Sequence, residues 1–341
     1  MVDIINEFIN GFVQIRLNDK WNFINIEGKL ISDQWFDWVS DFNNEFAVVR
    51  LKDKYNFLNT NGKIISELWF DRVYNFKNGF AEVKLNNKWN YINTEGKLMS
   101  DKWFDYVDYF CDGFAKVRLN DEYNFINTNG KFISIQWFDR VYGFQNGFGA
   151  VKINNKWNFI NTKLEYISYQ WFDGVDFFNN GFAKVKLNDK WNYINTEGKI
   201  ISDQWFDDLW SFYDSFAKVK LNDKWNFINI EGKLISDQWF DYVDNFLEGF
   251  ASVKLDGKWN FLNPDGKLIS DQWFDYAWTF KNGFAVVRLN DKWNFINTEG
   301  KLISEQWFDY VWDFEIFGVA KVKFNNKYYF INTKGELFDK L

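Results

Sequence analysis

Residues 182–207 read FAKVKLNDKWNYINTEGKIISDQWFD. In Phe182–Leu187 the side chains alternate. Ala183, Val185 and Leu187 fall on one face and Phe182, Lys184 and Lys186 on the other, the two-residue period of a strand. Asn188 and Asp189 follow, two residues that tolerate the positive φ of a tight hairpin. Lys190–Asn195 is a second extended run, and Thr196-Glu197-Gly198 a second turn. Residues 199–202 read as a short closing strand. Upstream, residues 172–178 read as the strand that precedes the pair. The unit is a small antiparallel meander.

The same text recurs along the whole chain. An aromatic residue followed by Asn stands at Trp21, Tyr55, Trp89, Tyr123, Trp157, Trp191, Trp225, Trp259 and Trp293, always 34 residues apart, and Tyr328 follows after 35. Trp-Phe-Asp begins at Trp35, Trp69, Trp103, Trp137, Trp171, Trp205, Trp239, Trp273 and Trp307, and Met1-Val2-Asp3 occupies the same phase. The 341 residues are therefore ten copies, with units beginning near residues 1, 35, 69, 103, 137, 171, 205, 239, 273 and 307 and one residue inserted near Phe317. A fixed internal period of this length marks a repeat array. No linker or shift in composition interrupts it, so a single repeat domain over residues 1–341 is expected.

A lone meander of this size is marginal in water. Trp21 and Phe23 share one face of their strand and Ile24 lies on the other, so both faces need cover from neighbouring repeats. Thirty-four residues is short for a propeller blade, and ten blades exceed the usual number. The expected fold is all-β: ten antiparallel β-meander repeats stacked as a propeller-like open superhelix. The alternative is a closed ten-unit ring, in which Val2, Ile4 and Ile5 would cover Leu337 and Phe338.

Composition removes several function classes. The chain is 23% aromatic, carries a net charge of -7, and has one cysteine and no histidine. There is then no imidazole base, no serine triad and no histidine metal ligand. Cys111 alone permits neither an internal disulfide nor a cysteine zinc site, and it reads as an incidental thiol. An acidic balance without a dense Lys/Arg block argues against nucleic acid. No apolar run reaches the length of a membrane-spanning helix, so no membrane insertion is expected. The first residues show no basic leader pattern, which makes the cytoplasm the default expectation.

The run KWNFINTEGKLIS at residues 292–304, then Trp-Phe-Asp, then Phe-x-x-Gly-Phe-Ala-x-Val-Lys, resembles the bacterial WG (KWG) repeat family. The resemblance covers the whole chain. It implies tandem β-repeats of propeller-like or solenoid-like form, a role in interactions, and no enzyme activity. The family's Gly after Trp is replaced here by Asn22, Asn56, Asn90, Asn124, Asn158, Asn192, Asn226, Asn260 and Asn294, and by Tyr329 in the last copy. Asn is the commonest non-glycine residue at positive φ, so a bulge or left-handed backbone is expected there. Ser-Asp-Gln stands where the family often has proline.

Four rows of residues are candidates for chemistry. The first is the carboxylates of Trp-Phe-Asp: Asp37, Asp71, Asp105, Asp139, Asp173, Asp207, Asp241, Asp275 and Asp309. No D-x-D-x-D cluster surrounds them. They are expected to accept hydrogen bonds from a nearby turn or to pair with a strand cation such as Arg50 or Lys84, and no metal site is expected. The second, the tryptophans of the Trp21 and Trp35 rows, is expected to be core. The third is the strand cations Arg16, Arg50, Lys84, Arg118, Lys152, Lys186, Lys220, Lys254, Arg288 and Lys323, expected to form cross-strand ion pairs.

The fourth row differs from copy to copy. Its pairs are Trp38/Ser40, Arg72/Tyr74, Tyr106/Asp108, Arg140/Tyr142, Gly174/Asp176, Asp208/Trp210, Tyr242/Asp244, Tyr276/Trp278 and Tyr310/Trp312. Alternation puts both members of a pair on one face. Exposed Tyr, Trp and Arg are the usual anchors of binding surfaces. The candidate binding residues are Trp38, Arg72, Tyr74, Tyr106, Arg140, Tyr142, Trp210, Tyr242, Tyr276, Trp278, Tyr310 and Trp312. Leu164, in place of a turn glycine, marks the fifth copy as a local defect. The expected function is a non-enzymatic scaffold for a protein or peptide partner. The alternative is a multivalent glycan-binding module. No catalytic residue and no cofactor are expected, because no unrepeated pair of carboxylates stands out.

Overall fold

The computed structural model describes residues 3–4, 7–314 and 318–339. The insertion near Phe317 and the proposed closing residues Val2 and Ile5 lie outside the described residues. The protein is all-β, with no helix among the described residues. Each repeat forms its own open antiparallel sheet of three strands in sequence order, with a fourth strand in the last repeat. Two compact units, residues 1–171 and 172–341, are built on this same plan.

The second repeat shows the plan. Its strands are Trp38–Val39, Phe46–Leu51 and Lys54–Asn59. Trp38 lies opposite Arg50, and Arg50 opposite Tyr55, so the three share a row across the sheet. The hairpin residues Lys52 and Asp53 take φ of 49° and 62°, as the turn chemistry predicts. The first strand is shorter than the expected residues 36–42. It reaches six residues in Arg140–Gln145 of the fifth repeat, where the register shifts between Tyr142 and Gln145. The expected fourth strand shrinks to one bridge, Ile24 with Leu30 in the first repeat. In the last repeat it survives as Leu337–Phe338, paired with Lys327–Asn332 of the same sheet.

The first strand is short because its leading residues serve the preceding sheet. Phe36 exchanges two backbone hydrogen bonds, of 2.8 and 2.9 Å, with Trp21 of the first repeat. The next residue, Asp37, donates its N–H to the Arg50 carbonyl of its own repeat at 2.8 Å. Two adjacent residues thus belong to two sheets. The core fills the space between them. Phe23 of one repeat packs with Phe36, Val39, Phe42, Ala47, Val49 and Leu58 of the next. Each fully buried phenylalanine there stabilises the joint by about 1.5–3 kcal/mol.

The asparagines that replace the family glycine behave differently from the expectation. They sit inside the third strand, completely buried and without positive φ. The amide nitrogen of Asn22 donates to the carbonyls of Ser32 at 2.8 Å and Gln34 at 3.1 Å. Its amide oxygen accepts the Phe23 N–H at 2.8 Å. A buried carbonyl without a donor is costly. Asn therefore stands here to satisfy the Ser-Asp-Gln segment that carries the chain to Trp-Phe-Asp. Tyr329 of the last copy instead packs against the core shared by the ninth and tenth repeats.

In seven repeats one glycine is fixed by both backbone and neighbour. Gly96 has φ +84°, and a Cβ there would lie 1.6 Å from the carbonyl oxygen of Ile65 in the preceding repeat. Gly113 has nearly the same φ, +83°, and nothing within 4 Å of such a Cβ. In the fifth repeat Leu164 takes the position with φ 69°, and Gly149 replaces an alanine where a Cβ would meet the Phe144 ring at 2.9 Å. Two departures thus fall in that one repeat. Both Gly113→Ala and Gly96→Ala should carry a left-handed strain of about 1–2 kcal/mol. Only Gly96→Ala must also push one repeat away from the next. Its thermal midpoint should fall clearly further than that of Gly113→Ala, and equal losses would contradict the close approach.

Candidate binding surface

Strand register sets the surface. The first residue of each pair faces the strand cation, and the cation faces the aromatic of the third strand. The charge lies over the ring in each case seen. Arg16 is 5.5 Å from the Trp21 centroid, Lys84 is 5.3 Å from Trp89, Lys254 is 5.4 Å from Trp259 and Arg288 is 5.4 Å from Trp293. The cations are thus held by cross-strand cation–π contacts rather than by the expected cross-strand ion pairs. Lys186 and Lys220 add turn partners, Asp189 at 3.0 Å and Asp223 at 2.9 Å. The Trp21 and Trp35 rows, expected in the core, are mostly half-buried. Trp21 sends part of its ring into the core cluster and leaves the rest to the cation.

The carboxylate ladder is structural at Asp37, Asp71, Asp105, Asp207, Asp241, Asp275 and Asp309, each of which takes a lysine of the preceding repeat; before Asp139 that lysine is replaced by Glu122. One oxygen of Asp37 takes the Lys20 ammonium of the preceding repeat, and the other takes the Lys52 N–H of its own turn at 2.7 Å. The turn was expected. The cation is the lysine that opens the preceding third strand, not Arg50 or Lys84, because the joint carries Asp37 past that strand. Among the described residues no group of acids or cysteine could hold a metal ion. Cys111 is half-buried.

The variable row lies on the outside. Trp38, Tyr74, Tyr106, Trp210, Tyr242, Tyr276, Trp278, Tyr310 and Trp312 are 37–46% exposed. Arg72 and Arg140 are exposed too, and Tyr142 is half-buried. Tyr74 stacks on Trp89 at 5.7 Å and Tyr142 on Trp157 at 4.6 Å. In residues 172–341 the rings form a continuous run. Tyr242, Trp259, Tyr276, Trp293, Tyr310, Trp312 and Tyr328 follow one another at 4.7–6.2 Å between centroids.

Sequence reasoning missed the residue opposite the second member of each pair. It is Lys116 opposite Asp108, Lys184 opposite Asp176, Lys218 opposite Trp210 and Lys321 opposite Trp312, each fixed by a backbone bond of 2.9–3.0 Å. The signal was present, since this position also varies between copies two residues before the strand cation. Of four cavities seen on the row among the described residues, two are lined by the Asp of a variable pair. One, of about 460 Å³, is lined by Tyr74, Glu82, Trp89, Tyr106, Asp108 and Tyr109 among others. Burial and the nearby Asp108 charge push the Glu82 carboxyl above its ordinary range. The other, of about 320 Å³, is lined by Tyr242, Asp244, Ser252, Trp259, Tyr276 and Trp278 among others.

The profile of the WG containing repeat matches residues 23–55, 57–89, 91–123, 125–157, 159–191, 193–225, 227–259, 261–293 and 295–328. The chain belongs to this repeat family. Each WG match runs from the third strand of one sheet into the third strand of the next; it contains the Phe36-type residue of a joint, while the partner in the Trp21 row lies just before the match. No curated protein is significantly similar in sequence. Solved structures similar to the WG chain include a eukaryotic initiation factor, at 9% identity and TM-score 0.31 over 95% of this chain and 94% of that one. Hsv2p of Kluyveromyces lactis is similar at 9% and 0.28 over 76% and 92%. AztD of Citrobacter koseri, in its apo form, is similar at 10% and 0.24 over 85% and 92%. At such TM-scores nothing about the shape or activity of this WG chain is drawn from them.

The carboxylate ladder has a pH signature. The Lys20 ammonium first, then the Lys52 N–H, hold the Asp37 carboxyl below the usual range against the opposing effect of desolvation. Asp71, Asp105, Asp207, Asp241, Asp275 and Asp309 are held down in the same way, each first by its lysine. A carboxyl whose folded pKa lies below its unfolded value, about 4, adds stability that is complete above that pH and is lost as pH falls through the folded pKa. The thermal midpoint should therefore drop below about pH 4. Asp105→Asn should lower the neutral-pH midpoint and shrink that drop. An acid limb unchanged by the substitution would contradict the role.

Proposed function

We propose that this WG-repeat chain is a binding scaffold without a catalytic step, and that it takes a protein or peptide partner on the variable aromatic face of its repeats. The observation that carries the reading is the division of labour within each repeat. Residues that recur, such as Phe36, Asn22 and Asp37, are spent on the joint. Residues that differ, such as Tyr276 and Trp278, stand about 40% exposed on the face. Half-exposed rings give large contact area at small ordering cost and are typical interface anchors. A multivalent glycan binder would gain from the same site in every copy. Here the face changes from repeat to repeat, which favours an extended polypeptide that meets a different set of groups in each.

The test is selection from a displayed random-peptide library, run beside a glycan array. Peptides with a shared motif should be enriched. Tyr276→Ala/Trp278→Ala should weaken them by about tenfold or more while the thermal midpoint stays near that of the parent. Peptide binding that survives the double substitution would remove this face as the site. Saturable glycan binding with no enriched peptide would replace the reading with a lectin.

A further inference from the structure

We infer that the eighth and ninth repeats together hold a site for a lysine side chain of a partner polypeptide, with the ammonium between the Asp244 carboxylate and the rings of Tyr242 and Trp278. The inference rests on the peptide-binding reading and names the partner's chemistry. It starts from the cross-strand pairs. Where Asp occupies the end of the first strand, the opposite residue is a lysine that pairs with it: Lys116 to Asp108 at 3.2 Å and Lys184 to Asp176 at 3.5 Å. Where Trp occupies the position, the opposite lysine lies over the indole: Lys218 at 3.9 Å from the Trp210 centroid and Lys321 at 5.3 Å from Trp312. The fold thus supplies its own ammonium to both kinds of acceptor.

Two adjacent repeats break the rule. Asp244 is opposite Ser252, and Trp278 is opposite Val286, with the same backbone bonds of 2.9 Å. Both shortened residues line the cavity of about 320 Å³, together with Tyr242, Asp244, Tyr276 and Trp278. A carboxylate and an indole that meet a lysine in the other repeats here face one shared space. Ser252 is 3% exposed, and its hydroxyl has no hydrogen-bond partner among the described residues. A buried hydroxyl without a partner is unfavourable, and a bound donor relieves it.

The charges around the site favour a cation. Of the charged groups lining the cavity, Lys281 pairs with Asp313 at 3.6 Å, and Asp244 has no ion pair among the described residues. Lys218 is close enough for Asp244 to support its charge, but it stands over Trp210. Lys254 and Arg288 lie against Trp259 and Trp293 in the neighbouring row. Cation–π attraction grows where the ammonium is partly desolvated, and a neighbouring carboxylate adds direct charge attraction.

The experiment uses the full chain labelled with ¹⁵N and the probe acetyl-Gly-Gly-Lys-Gly-Gly-amide. The indole N–H signals of Trp278 and Trp259 are followed. A saturable shift is expected. The probe with its lysine Nζ acetylated should give none. Ser252→Lys returns the internal ammonium that four other repeats carry, so the fold tolerates it, and it should weaken the probe by about tenfold or more. Asp244→Asn should weaken it too, without adding bulk. No shift in the parent, an equal shift with the acetylated probe, or undiminished binding in both variants would overturn the inference. Displayed peptides without lysine that still depend on Tyr276 and Trp278 would leave the scaffold reading standing while this one fell.

Discussion

Everything in the chain hangs on two neighbouring peptide groups that hydrogen-bond to different sheets. Phe36 closes the sheet behind it and Asp37 opens the sheet ahead. A three-stranded sheet with a two-residue first strand has little stability of its own. The joint lets it borrow the face of its neighbour, with Phe23 and Phe36 buried between them. The other recurring residues follow from this constraint. Once the chain must run from the third strand to the joint inside the protein, its carbonyls need donors, and the Asn22 amide supplies them. Once the turns of one repeat press on the loop of the one before, Gly96 is the residue that fits.

The same constraint divides each repeat into an inside of residues that recur and an outside of residues that vary. The Trp21 row belongs to both. One part of each indole packs on the core and the other carries a cation and meets the variable ring. The cation–π contacts keep the strand lysines and arginines occupied within their own sheet. What remains on the outer face is the first-strand pair and whatever stands opposite it.

Much of this was legible in the sequence because the period repeats every signal nine or ten times. The strands, the Asn-Asp hairpins and the exposed pairs could be read from alternation and turn chemistry alone. The first strand looked longer and Asp37 looked for Arg50 because each reading used residues within one repeat, and Asn22 looked left-handed because it was read from the family glycine that it replaces. In the folded chain Phe36 bonds Trp21, Asn22 bonds Ser32, and Asp37 meets Lys20. These partners lie across the joint or along the path into it, where local patterns carry no information. The opposition of Ser252 and Asp244 was hidden for a related reason. It depends on how many residues the loop between first and second strands consumes, and that loop differs from a standard hairpin.

The joint has an evolutionary consequence. Each contact across it is the previous contact shifted by one period: Gly62 meets Ile31, Gly96 meets Ile65, and Gly130 meets Met99. Inserting or deleting one whole unit by unequal recombination therefore yields a chain whose every internal seam is still complete. Copy number becomes nearly neutral for folding. Selection can then lengthen or shorten the face, and edit one site at a time, without having to rediscover the fold.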